Sequence, residues 1–170
     1  FQQRQKEVVL SAMKMFDTFV EAARENRARG GKVAFEWPAN NSYWHNPKVK
    51  KFIKEFGLQK ARCRGCAFGL VHDAGQPIAK PWTIATDDQY LFEELDRHKC
   101  PGHPEWGNRH AECEGGRMAK RTESYTDPMA KAIHRGWRKS VMAESKRGWG
   151  NPFTAGIASA DDTAENSRSR

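Results

Sequence analysis

Long apolar runs are missing from this sequence. No stretch approaches the roughly 18 consecutive apolar residues that a membrane-spanning helix needs. The opening FQQRQKEVVL spreads its apolar residues over a helical face and forms no secretory block. The expectation is therefore an intracellular protein, of the nucleus or an organelle, with no membrane span. Also missing are a GxGxxG turn, a P-loop, an HExxH pair and a nucleophile elbow, which removes the familiar nucleotide-binding and hydrolytic readings. There is no internal repeat. Apolar residues make up only 38% of the chain and the mean hydropathy is -0.87. The 170 residues suffice for one domain with a core, but that core is expected to lean on metal, cofactor or partner contacts.

Acidic residues are scarce where basic ones gather. The net charge is +8, and residues 45 to 64 set seven cations against the single carboxylate of Glu55. Residues 117 to 150 are a second basic segment, and the span between the two is acidic. Such a pattern suits the phosphates of nucleic acid, whose neutralisation releases counterions, or an acidic protein surface, including one in a larger multi-subunit assembly. A merely solubilising surface is the bland alternative.

Periodicity predicts an amphipathic helix carrying Val8, Val9, Ala12, Phe16, Phe19, Val20 and Ala23, stopped near Gly30 and Gly31. KVAFEW at 32 to 37 reads as a buried strand ended by Pro38. Helix, glycine turn and strand in that order suggest one half-turn of an open α/β sheet. Pro47 opens a second helix ended by Gly57. Residues 66 to 86 read as two strands around a turn at Asp73, Ala74 and Gly75, the second an edge strand or irregular at its start because of Pro77 and Pro81. Asp87 or Asp88 caps a third helix, and Asp127 with Pro128 starts a fourth. The expected fold is α/β: a small or partial open sheet with flanking helices and a zinc-stapled loop, compact over 1 to 150, with a flexible tail over 151 to 170.

The four cysteines fall among histidines, so metal binding is favoured over disulfides. Cys63-x2-Cys66, Cys100-x2-His103 and His110-x2-Cys113 all have chelating spacing, and spacing alone permits several sets of four. Cys66 lies just before an expected strand and Cys100 just past the expected third helix. An ion bridging them would be closed over by Cys113, with His103 or His110 completing the shell. The set taken forward is Cys66, Cys100, His110 and Cys113, with zinc as the cofactor. A zinc deaminase signature is absent, so a structural role is preferred to a catalytic one.

Five segments together, GKVAFEWP, CAFGL, KPWTIAT, the Cys/His loop at 100 to 116 and ESYTDPMAKAI, resemble the C-terminal half of a DNA cytosine methyltransferase-like domain. That domain is found in mobile-element-derived polyproteins of algae, dinoflagellates and marine invertebrates. The resemblance implies that Glu36, where those enzymes place a Glu-Asn-Pro turn, lines a base, substrate or cofactor pocket. It also implies a metal cluster of Cys66, Cys100, one histidine and Cys113. Trp37 stands where that turn has Asn, and no counterpart of the glycine-rich cofactor loop or the Pro-Cys nucleophile lies within these residues.

These readings converge on a zinc-stabilised, non-catalytic module contacting nucleic acid or a larger assembly. A fragment or degenerate copy of a methyltransferase-like enzyme is one alternative, and a structural subunit of a permanent complex is another. The nucleic-acid contacts are assigned to Lys48, Lys50, Lys51 and Lys54 on the second helix and to Arg135, Arg138 and Lys139 on the last. Trp44 with His45 has two readings, stacking on a base or packing against the helix that carries Phe52.

Overall fold

The computed structural model describes residues 2 to 113, 120 and 122 to 146. The 151 to 170 segment, read from the sequence as a flexible tail, lies outside the described residues. Helix α1 spans Gln2–Ala28, and Met13, Phe16, Val20 and Ala23 turn one side of its C-terminal half to the core. Val8 and Val9 do not join them. They are 57% and 42% exposed, because the body of the domain reaches only the second half of the helix.

Strand β1, Ala34–Pro38, leads through a short 3-10 turn at Ser42–His45 into α2, Pro47–Phe56. Two local devices set the limits of α2. Asn46 Oδ1 accepts from Lys48 N at 2.9 Å at its start, and Gly57, with φ 63, closes its end in a conformation that costs a residue with a Cβ. Strand β2 follows at Gln59–Arg64, then a 3-10 turn at Gly65–Phe68 and β3 at Pro81–Thr86. Helix α3, Gln89–Asp96, starts where Asp88 Oδ1 accepts from Tyr90 N and Leu91 N. A 3-10 turn at Pro104–Trp106 precedes α4, Asp127–Lys146.

The sheet order is β1-β3-β2, and β3 is antiparallel to both neighbours. Strands β1 and β2 therefore run the same way and are joined through α2, a split βαβ unit with β3 inserted between them. This corrects two expectations. The N-terminal half of the 66 to 86 segment is a 3-10 turn followed by a loop bridged at Val71 and Pro77, and β3 is the central strand. Pro81 is tolerated there because it occupies the first strand position, where a missing N–H interrupts little of the ladder.

Alternation along the strands builds two cores. Phe35, Trp37 and Ala85 face α1 and α2, joining Phe16, Trp44, Phe52 and Phe56. Trp44 stacks on Phe35, with ring centroids 5.3 Å apart, so of its two readings packing is the observed one. On the opposite face Ala61, Cys63, Trp82 and Ile84 meet Leu95 of α3 and Met129 and Ala132 of α4. Helices α3 and α4 touch closely at Gly136, where an added Cβ would lie 2.8 Å from Leu91 Cα. The same pair is clamped by Glu94. Its side chain is 0% exposed and bonds Arg135 Nε at 2.8 Å, Lys139 Nζ at 2.9 Å and Arg97. Burial opposes ionisation of Glu94, but bonds from Lys139 and Arg135 and the charge of Arg97 outweigh it and hold the carboxyl below its usual range.

Candidate metal centre

Four side chains from three places in the fold converge at one end of the sheet. Cys66 comes from the 3-10 turn after β2, and Cys100 from the chain leaving α3. His103 and His110 come from either side of the Pro104–Trp106 turn. One donor atom from each lies within 4.8 Å of all the others. The loop that brings them in is held by one bond to a side chain, His103 N donating to Asn108 Oδ1 at 2.9 Å, and one backbone bond, Ala111 N donating to Pro77 O at 2.8 Å.

Two features fit this set to zinc. Cys100 Sγ and His110 Nε2 are 3.4 Å apart, inside the roughly 3.3–3.8 Å edges of a tetrahedron built from Zn–S and Zn–N bonds of ordinary length. His103 Nε2 is buried and has no hydrogen-bond partner, and an orphaned ring nitrogen inside a protein is costly. Its other nitrogen, Nδ1, has the exposed Glu105 carboxylate 3.7 Å away, a contact longer than a hydrogen bond. The neighbouring sulfurs also affect one another. Burial, then the adjacent Cys100 sulfur, pushes the Cys66 thiol up to about 11.

The structure brings together Cys66, Cys100 and His110 of the predicted set, and places His103 in the group instead of Cys113. The Cys113 sulfur is 3.1 Å from Thr122 Oγ1, outside the four-membered cluster. Cys63, the other alternative, is turned into the core by the strand alternation of β2, and burial pushes its thiol up to about 12.

Glu36 sits in mid-strand, opposite Ile84, on the face covered by α3 and α4. Its Oε2 accepts from Tyr125 OH at 3.4 Å and its Oε1 has no partner. Burial, only partly offset by Tyr125 and Lys80, raises its pKa. Tyr125 is pushed up to about 12 by burial and by Glu36. The adjacent cavity, shared with Leu91 and Ile133, measures about 140 Å³, well below the roughly 300–1,000 Å³ of ligand pockets.

A larger cleft of about 910 Å³ opens beside the cluster, with Cys100 and His110 in its wall. Lys50, Lys60, Arg62, Arg64 and Lys99 line it, and among the described residues no Asp or Glu does. The seven cations selected from sequence divide differently. Lys48 is bound to Asp17 at 2.7 Å, and Arg135 and Lys139 belong to the Glu94 clamp. Lys51, Lys54 and Arg138 are exposed outside the cleft, leaving Lys50 alone of the seven in its wall. Lys60, Arg62 and Arg64 were legible as a charge run but not as a face. The missed signal was the alternation of basic residues with Ala61 and Cys63, a period of two that marks a half-buried strand.

No protein-family model, no curated protein and no solved structure matches this chain. The donor cluster and the charged cleft are the features of the fold that bear on function. Among the described residues no helix is long and apolar enough to cross a membrane.

Proposed function

We propose that the protein is a zinc-stabilised, non-catalytic binding module for nucleic acid. The observation that carries this reading is the convergence of Cys66, Cys100, His103 and His110. Two sulfurs and two imidazoles make up a complete tetrahedral zinc set, and four protein ligands leave no coordination position for a substrate. Bound zinc supplies coordination bonds where the 98 to 113 segment has few apolar ones. The residues of this chain do the rest: Asn108 Oδ1 accepts from His103 N and fixes the turn between the two histidines, and Ala111 N donates to Pro77 O and holds the loop against Pro77. The nucleic-acid part is supported by the basic cleft next to this staple. Cobalt substitution tests the metal site. Visible absorption bands of a tetrahedral thiolate–imidazole complex, lost on Cys100→Ser and retained on Cys113→Ser, are the expected result.

A second reading, a subunit of a permanent protein complex, is favoured by one observation. Trp137 and Val141, one turn apart on α4, are 58% and 41% exposed. A stable co-purifying partner that shields Trp137 fluorescence would favour it over the first.

A further inference from the structure

We propose that the cleft beside the metal cluster is a trough for single-stranded nucleic acid, with the edge strand β2 as its phosphate-binding floor. The inference rests on the nucleic-acid reading above and moves the contact surface away from the helices to which the sequence assigned it.

Strand geometry comes first. Lys60, Arg62 and Arg64 are alternate residues of β2, so their side chains leave the same face at intervals of about 6.6–6.8 Å. That spacing is close to the separation of successive phosphates in an extended single strand. Lys50 of α2 lines the same cleft, and Lys99 Nζ donates to Arg62 O at 2.7 Å on the outer edge of β2. Burial, then the charges of Arg62 and Lys50, lowers the Lys60 pKa, which marks these cations as repelling one another. No ion pair among the described residues involves Lys50, Lys60, Arg62 or Arg64. Lys99 bonds Asp96 at 2.9 Å, and Asp96 also accepts from Arg62 N, which covers the outer edge of β2 and leaves its side chains to the cleft. Lys50, Lys60, Arg62 and Arg64, gathered in one cleft with no ion pair among the described residues, are relieved of their mutual repulsion by a bound polyanion.

The rim argues for nucleic acid over an acidic peptide, and for one strand over two. Trp44 is buried between Phe35 and Lys60 Nζ, which lies 4.6 Å from its ring centroid, so the exposed ring of this wall is His45. An imidazole among cations is a surface on which an unpaired base stacks, and a carboxylate-rich peptide has no flat face to offer it. A duplex keeps its bases stacked inside and presents a convex outer surface, so it meets only the rim of a concave trough.

The test uses the zinc-loaded chain and fluorescence anisotropy with oligo-dT and oligo-U of about 12 nucleotides, within the roughly 4–16 that comparable grooves cover. A 12-base-pair duplex and polyglutamate are the competitors. Single strands are expected to bind in preference to duplex. Four phosphate contacts, from Lys50, Lys60, Arg62 and Arg64, predict a salt slope of about -2.8, and Arg62→Gln with Arg64→Gln is expected to flatten it by about 1.4 and weaken binding roughly tenfold. The charge-matched Lys51→Gln with Lys54→Gln, outside the cleft, is expected to change affinity less than about threefold. Zinc content and melting temperature are measured on both double variants, so that a folding defect is not mistaken for lost contacts. Equal losses from the two double variants, or duplex binding as tight as single strand, overturn the trough while leaving nucleic-acid binding standing. Capture of polyglutamate with no nucleic-acid binding overturns both.

Discussion

In the zinc-bound form proposed above, withdrawing the metal is the perturbation that would reach furthest into this fold. A zinc ion held by Cys66 and Cys100 links the turn after β2 to the chain leaving α3, and so closes a loop of about 35 residues. Chain-entropy scaling for a cross-link of that span gives about 4 kcal/mol. For a chain of this size that is a fall in Tm of about 8–16 °C. The loss is not uniform, because the β1, α1 and α2 side of the domain has its own aromatic core, where Phe16, Phe35, Phe52 and Phe56 pack without help from the staple. The assay is calorimetry of the zinc-loaded chain, of the chelated chain and of the chain reloaded with zinc, joined to hydrogen exchange. Exchange is expected to accelerate at residues 98 to 113 first and at α1 and α2 last. The sharpest comparison is His103→Ala, which is expected to lose the ion, against Cys113→Ser, which is expected to keep one zinc per chain. Chelated and loaded melts within about 2 °C of each other would refute the reasoning, as would an ion retained by His103→Ala and lost from Cys113→Ser.

Three further outcomes follow from the packing. Glu94→Gln is expected to cost about 2 kcal/mol in chemical denaturation, less than the roughly 3–5 of a stranded buried charge, because the released Arg97, Arg135 and Lys139 are each about half exposed and reach water. Since the folded Glu94 carboxyl is held below its usual range, its stabilisation is complete above about pH 4.3 and fades as pH falls through the folded value, and the variant is expected to lack that acid-side decline. Glu36→Gln is expected to do the reverse. Burial raises the Glu36 pKa, so its ionisation costs stability as pH rises, and the variant should melt higher than the parent at pH 7 with no gain at pH 4. Gly136→Ala gains up to about 1 kcal/mol of helix propensity but forces a Cβ to 2.8 Å from Leu91 Cα, and overpacking of about 1–3 kcal/mol makes a net loss the expected denaturation result.

Local chemistry was readable in the sequence because it is decided within a few residues. The Asn46, Pro47 and Gly57 signals bound α2, Asp88 caps α3, and Asp127 with Pro128 opens α4, as their residue types require. The inventory of metal donors was equally plain, since thiols and imidazoles at chelating spacing are a local fact. Tertiary structure alone decided which of them meet. Three pairs share one spacing, and the choice depends on the side of β2 that Cys63 faces and on the loop path that carries His103 inward and leaves Cys113 beside Thr122. The availability of each cation was decided the same way: Lys48 is neutralised by Asp17, 31 residues away, and Arg135 by Glu94, 41 residues away. Ion pairs and ligand shells join residues distant in the chain, so a composition or a spacing can state what is present and only the folded path can state what remains free.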